Sequence, residues 1–249
     1  MSEYLQINEN VELKRDETSL TDAKNLKSQL KEGFLNVNEI YLSLQGEGTR
    51  SGLLTTFVRL QGCLLRCVWC DTPYALERSE SANIMSRDEL YHSIEKRGCK
   101  LIMFTGGEPL EQPGVFPLIV KLCDNGYEVT IETNGQADVS EVDKRAVLIM
   151  DLKCPDSGMH KKNRYSNLDS LKKGDEVKFV ISSRRDYDWT REIIKQYNIY
   201  SKVDTVLLSP AFGILDSKEL AEWMISDKIN ARMQLQSHKY IWDPNRRGV

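Results

Sequence analysis

No apolar run in the sequence approaches the ~18 residues that a membrane span needs, and the polar opening MSEYLQINENVELKRDE has no apolar core of the secretory kind. Those absences predict a cytoplasmic protein. An excess of either charge is also missing, since 34 Lys and Arg stand against 37 Asp and Glu for a formal net charge of −3. That balance gives no basis for stable binding to nucleic acid or to an acidic membrane, and it favours a small-molecule substrate. Histidine is scarce, with three residues, His92, His160 and His238, scattered along the chain, which weakens any zinc site that would draw on histidine. Repeats and low-complexity tracts are absent. At 249 residues the chain suffices for one sizeable α/β domain and does not require two.

Residues 1–34 are charged and polar, with a weak helical pattern at Leu20, Leu26 and Leu30, and read as a mobile or partner-docking extension to a domain over 35–249. From residue 37 onward short β-branched runs alternate with helical stretches, the pattern of parallel strands and crossover helices. Strands are expected at 37–44, 55–60, 101–104, 128–132, 147–150, 176–181, 205–208 and 231–235, and helices at 86–97, 114–125, 187–197 and 217–225. The first of these helices opens with Ser86 and has Glu89 at the capping-box position. Five polar, Gly- or Pro-bearing stretches follow strands: 105–109, 132–135, 151–155, 209–213 and 236–239. Loops at the C-terminal strand ends build the active sites of parallel barrels, so a complete or partial (β/α) barrel with its site on one mouth is expected. An open doubly wound sheet would gather ligands in the same way and stays open as an alternative.

Six cysteines in a chain of this kind are read as thiols or ligands before disulfides. Cys99, Cys123 and Cys154 stand singly and read as small buried filler. Cys63, Cys67 and Cys70 form a C-x3-C-x2-C loop, one thiolate short of the four that a [4Fe–4S] cluster normally takes. The fourth iron would then be open to an outside ligand, for which S-adenosylmethionine is the candidate. Thiolates also suit zinc, but structural zinc usually asks for four ligands, commonly in two separated pairs. Gly106-Gly107-Glu108-Pro109 follows an apolar strand; paired glycines allow close backbone approach, and the carboxylate can hold a cationic amine. By itself this run is also an ordinary strand-to-helix turn.

Together these motifs resemble the radical S-adenosylmethionine (SAM) superfamily. Ser43-Leu-Gln-Gly-Glu-Gly48, Phe57-Val-Arg59, Trp69-Cys-Asp-Thr72, Glu132-Thr-Asn-Gly135, Asp151-Leu-Lys153 and Gln236-Ser-His-Lys239 further resemble the 7-carboxy-7-deazaguanine synthase family over residues 37–242. The resemblance implies an α/β fold, the modified, partial (β/α) barrel of radical SAM enzymes, with a [4Fe–4S] cluster, SAM and Mg2+. It implies a lyase that turns 6-carboxy-5,6,7,8-tetrahydropterin into 7-carboxy-7-deazaguanine with loss of ammonia, on the route to queuosine and other 7-deazapurines. A flavodoxin or ferredoxin reductant and a homodimer are the family expectations.

Carried over by motif, Leu44, Gln45, Gly46, Glu47, Arg59, Thr105 and His238 would meet the pterin, with the Arg59 fork on its carboxylate. Trp69, Cys70, Asp71, Gly107, Glu108, Asp151, Leu152, Lys153, Ser209 and Pro210 would line SAM. Cys63, Cys67 and Cys70 would hold the cluster, and Thr72 the Mg2+. Plainer roles compete: core packing for Trp69, an ion pair with a neighbouring acid for Arg59, a loop cap for Thr72, a satisfied structural histidine for His238 and strand-end turns for the later residues. Another radical SAM enzyme, such as a glycyl-radical activase, or a non-enzymatic zinc or iron–sulfur module would share part of the pattern. Leu64 replaces the asparagine common after the first cluster cysteine in relatives, and the chain runs on past Trp242 as Asp-Pro-Asn-Arg-Arg-Gly-Val.

Overall fold

The computed structural model describes residues 25–30, 32–78 and 83–249. Most of the 1–34 extension therefore lies outside the described residues; within it, residues 25–30 are helical and Leu26 is buried. Nine strands form one sheet among the described residues: β1 (Leu35–Leu44), β2 (Leu54–Leu60), β3 (Ile84–Met85), β4 (Leu101–Gly106), β5 (Glu128–Thr133), β6 (Val147–Asp151), β7 (Glu176–Ile181), β8 (Thr205–Pro210) and β9 (Arg232–Met233). Their order is β3-β1-β2-β4-β5-β6-β7-β8-β9. An antiparallel hairpin of β1 and β2 starts the sheet, and every pairing from β2–β4 to β8–β9 is parallel. The edge strands β3 and β9 do not pair with each other, so the sheet is an open, partial barrel.

Strand alternation explains the two faces of this sheet. Outward side chains such as Val58, Phe104, Ile131 and Leu148 pack with the helices Arg87–Glu95 and Val115–Asp124 in one apolar cluster. In the other half, Val177, Phe179 and Leu208 pack with the helices Arg184–Gln196 and Ser217–Asp227. The intervening positions point inward. Phe57, Met103, Ile149 and Leu207 form a small interior cluster, with Tyr41 packed on it. Two residues further along the same strands the inward positions become Arg59, Thr105, Asp151 and Ser209. The barrel thus has an apolar plug and a polar mouth.

The expected strands and long helices are present with shifted ends. Ser86 makes the full capping box with Glu89. The helix expected from 187 begins at Arg184, because the Ser183 hydroxyl accepts from Asp186 N and caps it there. The expected strand 231–235 shrinks to β9. After Met233 the side chains of Gln234 and Gln236 turn to Glu47 and Gly48. The two-residue β3 and the single-turn helices Ile199–Lys202 and His238–Ile241 are too short to leave a periodic signal.

Candidate active site

At the polar mouth a cleft opens whose walls come from β1, β2, the cysteine loop, the ends of β4 to β8 and the segment after β9. Cys63, Cys67 and Cys70 line one side with Trp69, Asp71, Thr72 and Gly107. Leu44, Gln45, Gly46, Glu47, Arg59, Thr105 and His238 also line it, as do Asp151, Lys153, Ser209 and Pro210. The five strand-end stretches therefore converge as their positions predicted.

Two expected SAM contacts are not among the residues that line the cleft. Glu108 is fully buried: its carboxylate accepts from Leu110 N at 3.1 Å, Thr133 Oγ1 at 2.8 Å and Asn134 N at 2.6 Å. It braces the turn after β5. Leu152 is also fully buried, in the apolar cluster under β6 and β7, because alternation turns it outward between Asp151 and Lys153.

The cysteine loop is zipped to the Gly-Gly-Glu-Pro turn by backbone. Gly107 N donates to Leu60 O and Glu108 N to Gly62 O, both at 2.8 Å, while Gly62 N donates to Ala75 O at 2.7 Å. A Cβ on Gly107 would lie 2.0 Å from Gly62 O, and one on Gly106, whose φ is +117°, would lie 2.4 Å from Leu60 O. These glycines thus serve contact between two chain segments.

Thr72 does not cap the turn that follows it; its hydroxyl lies 3.9 Å from Cys70 Sγ and 3.5 Å from Gly106 O.

All three loop cysteines are free thiols. Burial raises Cys63 and pushes Cys67 up to about 11, and coordination to iron reverses that preference by taking the thiolate. Asn134 Nδ2 lies 3.5 Å from Cys63 Sγ, a donor aimed at the sulfur. Among the described residues no three His, Cys, Asp or Glu side chains close round a single-ion position; a cubane instead spreads its thiolates over separate iron corners. Asp151 Oδ1 faces the same region as a buried acceptor without a partner, while Asp151 Oδ2 takes Lys153 Nζ at 2.8 Å. An orphaned acceptor beside three unpaired thiols fits a cluster with a hydroxyl- and amine-bearing cosubstrate.

The same cleft holds a charged group that the sequence reading missed. Lys178, on β7 and 5% exposed, donates to Glu47 and, at 2.7 Å, to Glu132 Oε1. Burial alone would lower its pKa, but Glu132 and Glu47 outweigh it and hold the amine charged. Thr105 Oγ1 donates to Glu132 Oε2 at 3.1 Å, and Gln234 and Gln236 donate to the Glu47 carboxylate at 2.8 Å each. The available signal was a lysine in the middle of Glu-Val-Lys-Phe-Val-Ile, an apolar strand. His238 sits over Gly46, where a Cβ would lie 2.2 Å from its Nδ1, and burial lowers its pKa against the pull of Glu47. Arg59 Nε donates to Glu39 at 2.7 Å and its Nη2 to Tyr41 Oη at 3.1 Å, so the ion pair weighed for this residue is present inside the cleft.

Two predictions follow from these contacts. Lys178→Met leaves two carboxylates facing each other and is expected to cost about 3 kcal/mol in urea unfolding. The double variant K178M/E132Q should recover part of that loss, and a cost below ~0.5 kcal/mol, the level of a neutral surface change, would refute the pairing. Burial raises Glu108 from 4.5 to about 7 against its three donors, so its protonated form favours the folded state below pH 4.5 and that advantage is lost as pH rises through 7. Relative to Glu108→Gln, wild-type unfolding free energy should fall by about 2 kcal/mol more between pH 5 and 8; parallel pH profiles would refute it.

Comparison with known proteins agrees with this architecture. The family described as Radical SAM superfamily matches residues 57–197. A 7-carboxy-7-deazaguanine synthase of Koribacter versatilis (strain Ellin345) is 40% identical over 229 residues, covering 86% of this chain and 100% of the relative. One from Chlorobaculum tepidum (strain ATCC 49652 / DSM 12025 / NBRC 103806 / TLS) is 41% identical over 221 residues, covering 88% and 99%. The crystal structure of QueE from Escherichia coli shares the fold, with a TM-score of 0.69 at 23% identity over 84% of this chain and 97% of that one. With that identity over almost the full length of its relatives, the chain belongs to the 7-carboxy-7-deazaguanine synthase family of radical SAM enzymes.

Proposed function

We propose that this protein is a radical SAM carbon–nitrogen lyase that converts 6-carboxy-5,6,7,8-tetrahydropterin to 7-carboxy-7-deazaguanine with loss of ammonia. The observation that carries the reading is the shared cleft, where three free thiols meet the charged side chains Glu47, Lys178, Glu132 and Arg59. The family implies the cluster and SAM. When bound, they supply a carbon-centred radical that abstracts hydrogen from the substrate.

The chain's own residues bind and orient. Cys63, Cys67 and Cys70 would hold three irons, and Asp151 Oδ1 offers its open acceptor to SAM beside Lys153. Glu47 and Glu132, both held by Lys178, can accept from the amino-pyrimidine edge of a pterin, and the Arg59 fork can take its carboxylate. Thr72, next but one to Cys70, would give Mg2+ a hard oxygen at the substrate's edge. Among the described residues no helix is long and apolar enough to cross a membrane. The reading places the enzyme in the cytoplasm as a homodimer that takes electrons from flavodoxin or ferredoxin, with 35–249 as its catalytic domain and 1–34 as an extension.

Anaerobically reconstituted protein, incubated with reductant, SAM, Mg2+ and the carboxypterin, should give the deazaguanine product by mass analysis. Uptake of zinc with never about four irons per chain would overturn the reading. Cys67→Ala should abolish SAM cleavage while the protein stays folded by circular dichroism; retained cleavage would remove the loop as the cluster site. Arg59→Lys should raise KM for the carboxypterin about tenfold, because one bidentate charged contact is lost, with uncoupled SAM cleavage nearly unchanged. Equal losses in both would move Arg59 out of the substrate site.

A further inference from the structure

The segment after the helix His238–Ile241 folds back over the cleft. Asn245 N donates to Asp243 Oδ1 and Arg246 N to Asp243 O, both at 2.9 Å, so Asp243-Pro244-Asn245-Arg246 is an Asx-type turn that reverses the chain. Pro244, Arg246 and Arg247 then line the mouth.

Arg247 lies with its guanidinium carbon 3.6 Å from the centroid of the Tyr74 ring. The Arg59 guanidinium is 5.8 Å from the centroid of that same ring, and Tyr74 Oη donates to Glu39, the partner of Arg59, at 3.2 Å. Two guanidinium groups therefore lie against one aromatic ring, and the carboxylate in that corner, Glu39, is taken by Arg59 and Tyr74. Arg246 and Lys239 also line the cleft, Lys239 over the Phe212 ring, while Lys153 is paired with Asp151 and Lys178 faces two carboxylates. Among the described residues Arg247 is the guanidinium at the mouth that rests on a ring and has no carboxylate partner in the ion pairs of the cleft. A ring face holds an arginine in place while leaving its N–H edge free.

We propose that Arg247 is a substrate-binding residue that, together with Arg59, clamps the carboxylate of the pterin and selects for it. The inference rests on the substrate class proposed above. It gives the cleft two chemically different ends, guanidinium donors at Tyr74 and the carboxylate acceptors Glu47 and Glu132 beside Lys178, which suit the anionic and the N–H-rich ends of one ligand.

The test is equilibrium binding to the reconstituted, SAM-loaded protein under anaerobic conditions, by calorimetry, with two unreactive probes: 6-carboxypterin and pterin lacking the carboxylate. Wild type should prefer 6-carboxypterin. Arg247→Ala should weaken that probe about tenfold, the effect of one charge-assisted contact at a solvent-accessible rim. Binding of pterin and of SAM should stay within about twofold, a difference well below one such contact, which also shows the variant is folded. Arg247→Lys should recover part of the loss. If R247A binds 6-carboxypterin as wild type does while wild type still discriminates between the probes, the Arg247 assignment is overturned and the substrate class stands. If wild type binds SAM and neither probe, the substrate class is overturned, and this inference with it.

Discussion

An ammonium ion inside a barrel is the constraint on which this structure turns. Lys178 cannot be buried alone, since desolvating a single charge costs several kcal/mol. It is held by Glu132 from β5 and Glu47 from the loop after β1. Glu47 is in turn fixed by Gln234 and Gln236, which follow β9. The same loop gives Gly48 N to Gln234 Oε1 at 2.6 Å and Gly46 O to Ser237 N at 3.1 Å. A sheet whose two edge strands never meet is thereby bridged across its mouth by side chains and one backbone bond. Hydrogen bonds of strand pairing are replaced there by a polar network, and the gap that would have been sealed by backbone becomes a place for a ligand.

The cysteine wall is built by the contrary device, the removal of side chains. Gly62 and Gly107 touch through bare backbone, and this contact holds the cysteine loop against the end of β4. Glu108, which a motif reading assigns to a ligand amine, supports this wall from behind: it fixes Thr133 and Asn134, and Asn134 reaches Cys63 Sγ. Part of the Gly-Gly-Glu-Pro signature thus also serves as scaffold, its carboxylate collecting three donors in a dry turn.

What the sequence made legible follows from the range of the physics involved. The period-2 alternation of the strands and the capping signals at Ser86 are local, and they located the elements and the face on which the polar loops would gather. The cysteine spacing is local as well, so that wall of the cleft could be named in advance. Lys178 and Gln234 were missed because their roles exist through partners far off in the chain, above all Glu47, at sequence separations of 131 and 187 residues. The burial of the Glu108 and Leu152 side chains was not legible for a different reason. A motif gives a residue's position, while side-chain direction depends on the backbone geometry at that position; strand alternation for Leu152 and the turn after β4 for Glu108 decided it. β9 was overextended because its apolar residues read as strand while Gln234 and Gln236 were already committed to the network.

Both walls depend on segments far apart in the chain, and this bears on how the site can work. The cysteine loop is tied to the end of β4 through backbone contacts. The wall of charges is held by side-chain pairs, each of which can exchange a protein partner for a ligand group of like chemistry: a pterin N–H can take the place of a glutamine amide on Glu47, and a carboxylate can share the two guanidiniums at Tyr74. A rigid wall suits the half of the site where reactive atoms must keep a fixed geometry, because near-attack distances tolerate little error. An exchangeable wall suits the half that must admit a substrate, hold it through a rearrangement and release a product of different shape. In the site as proposed, the division between backbone-built and side-chain-built walls matches the division between cofactor and substrate.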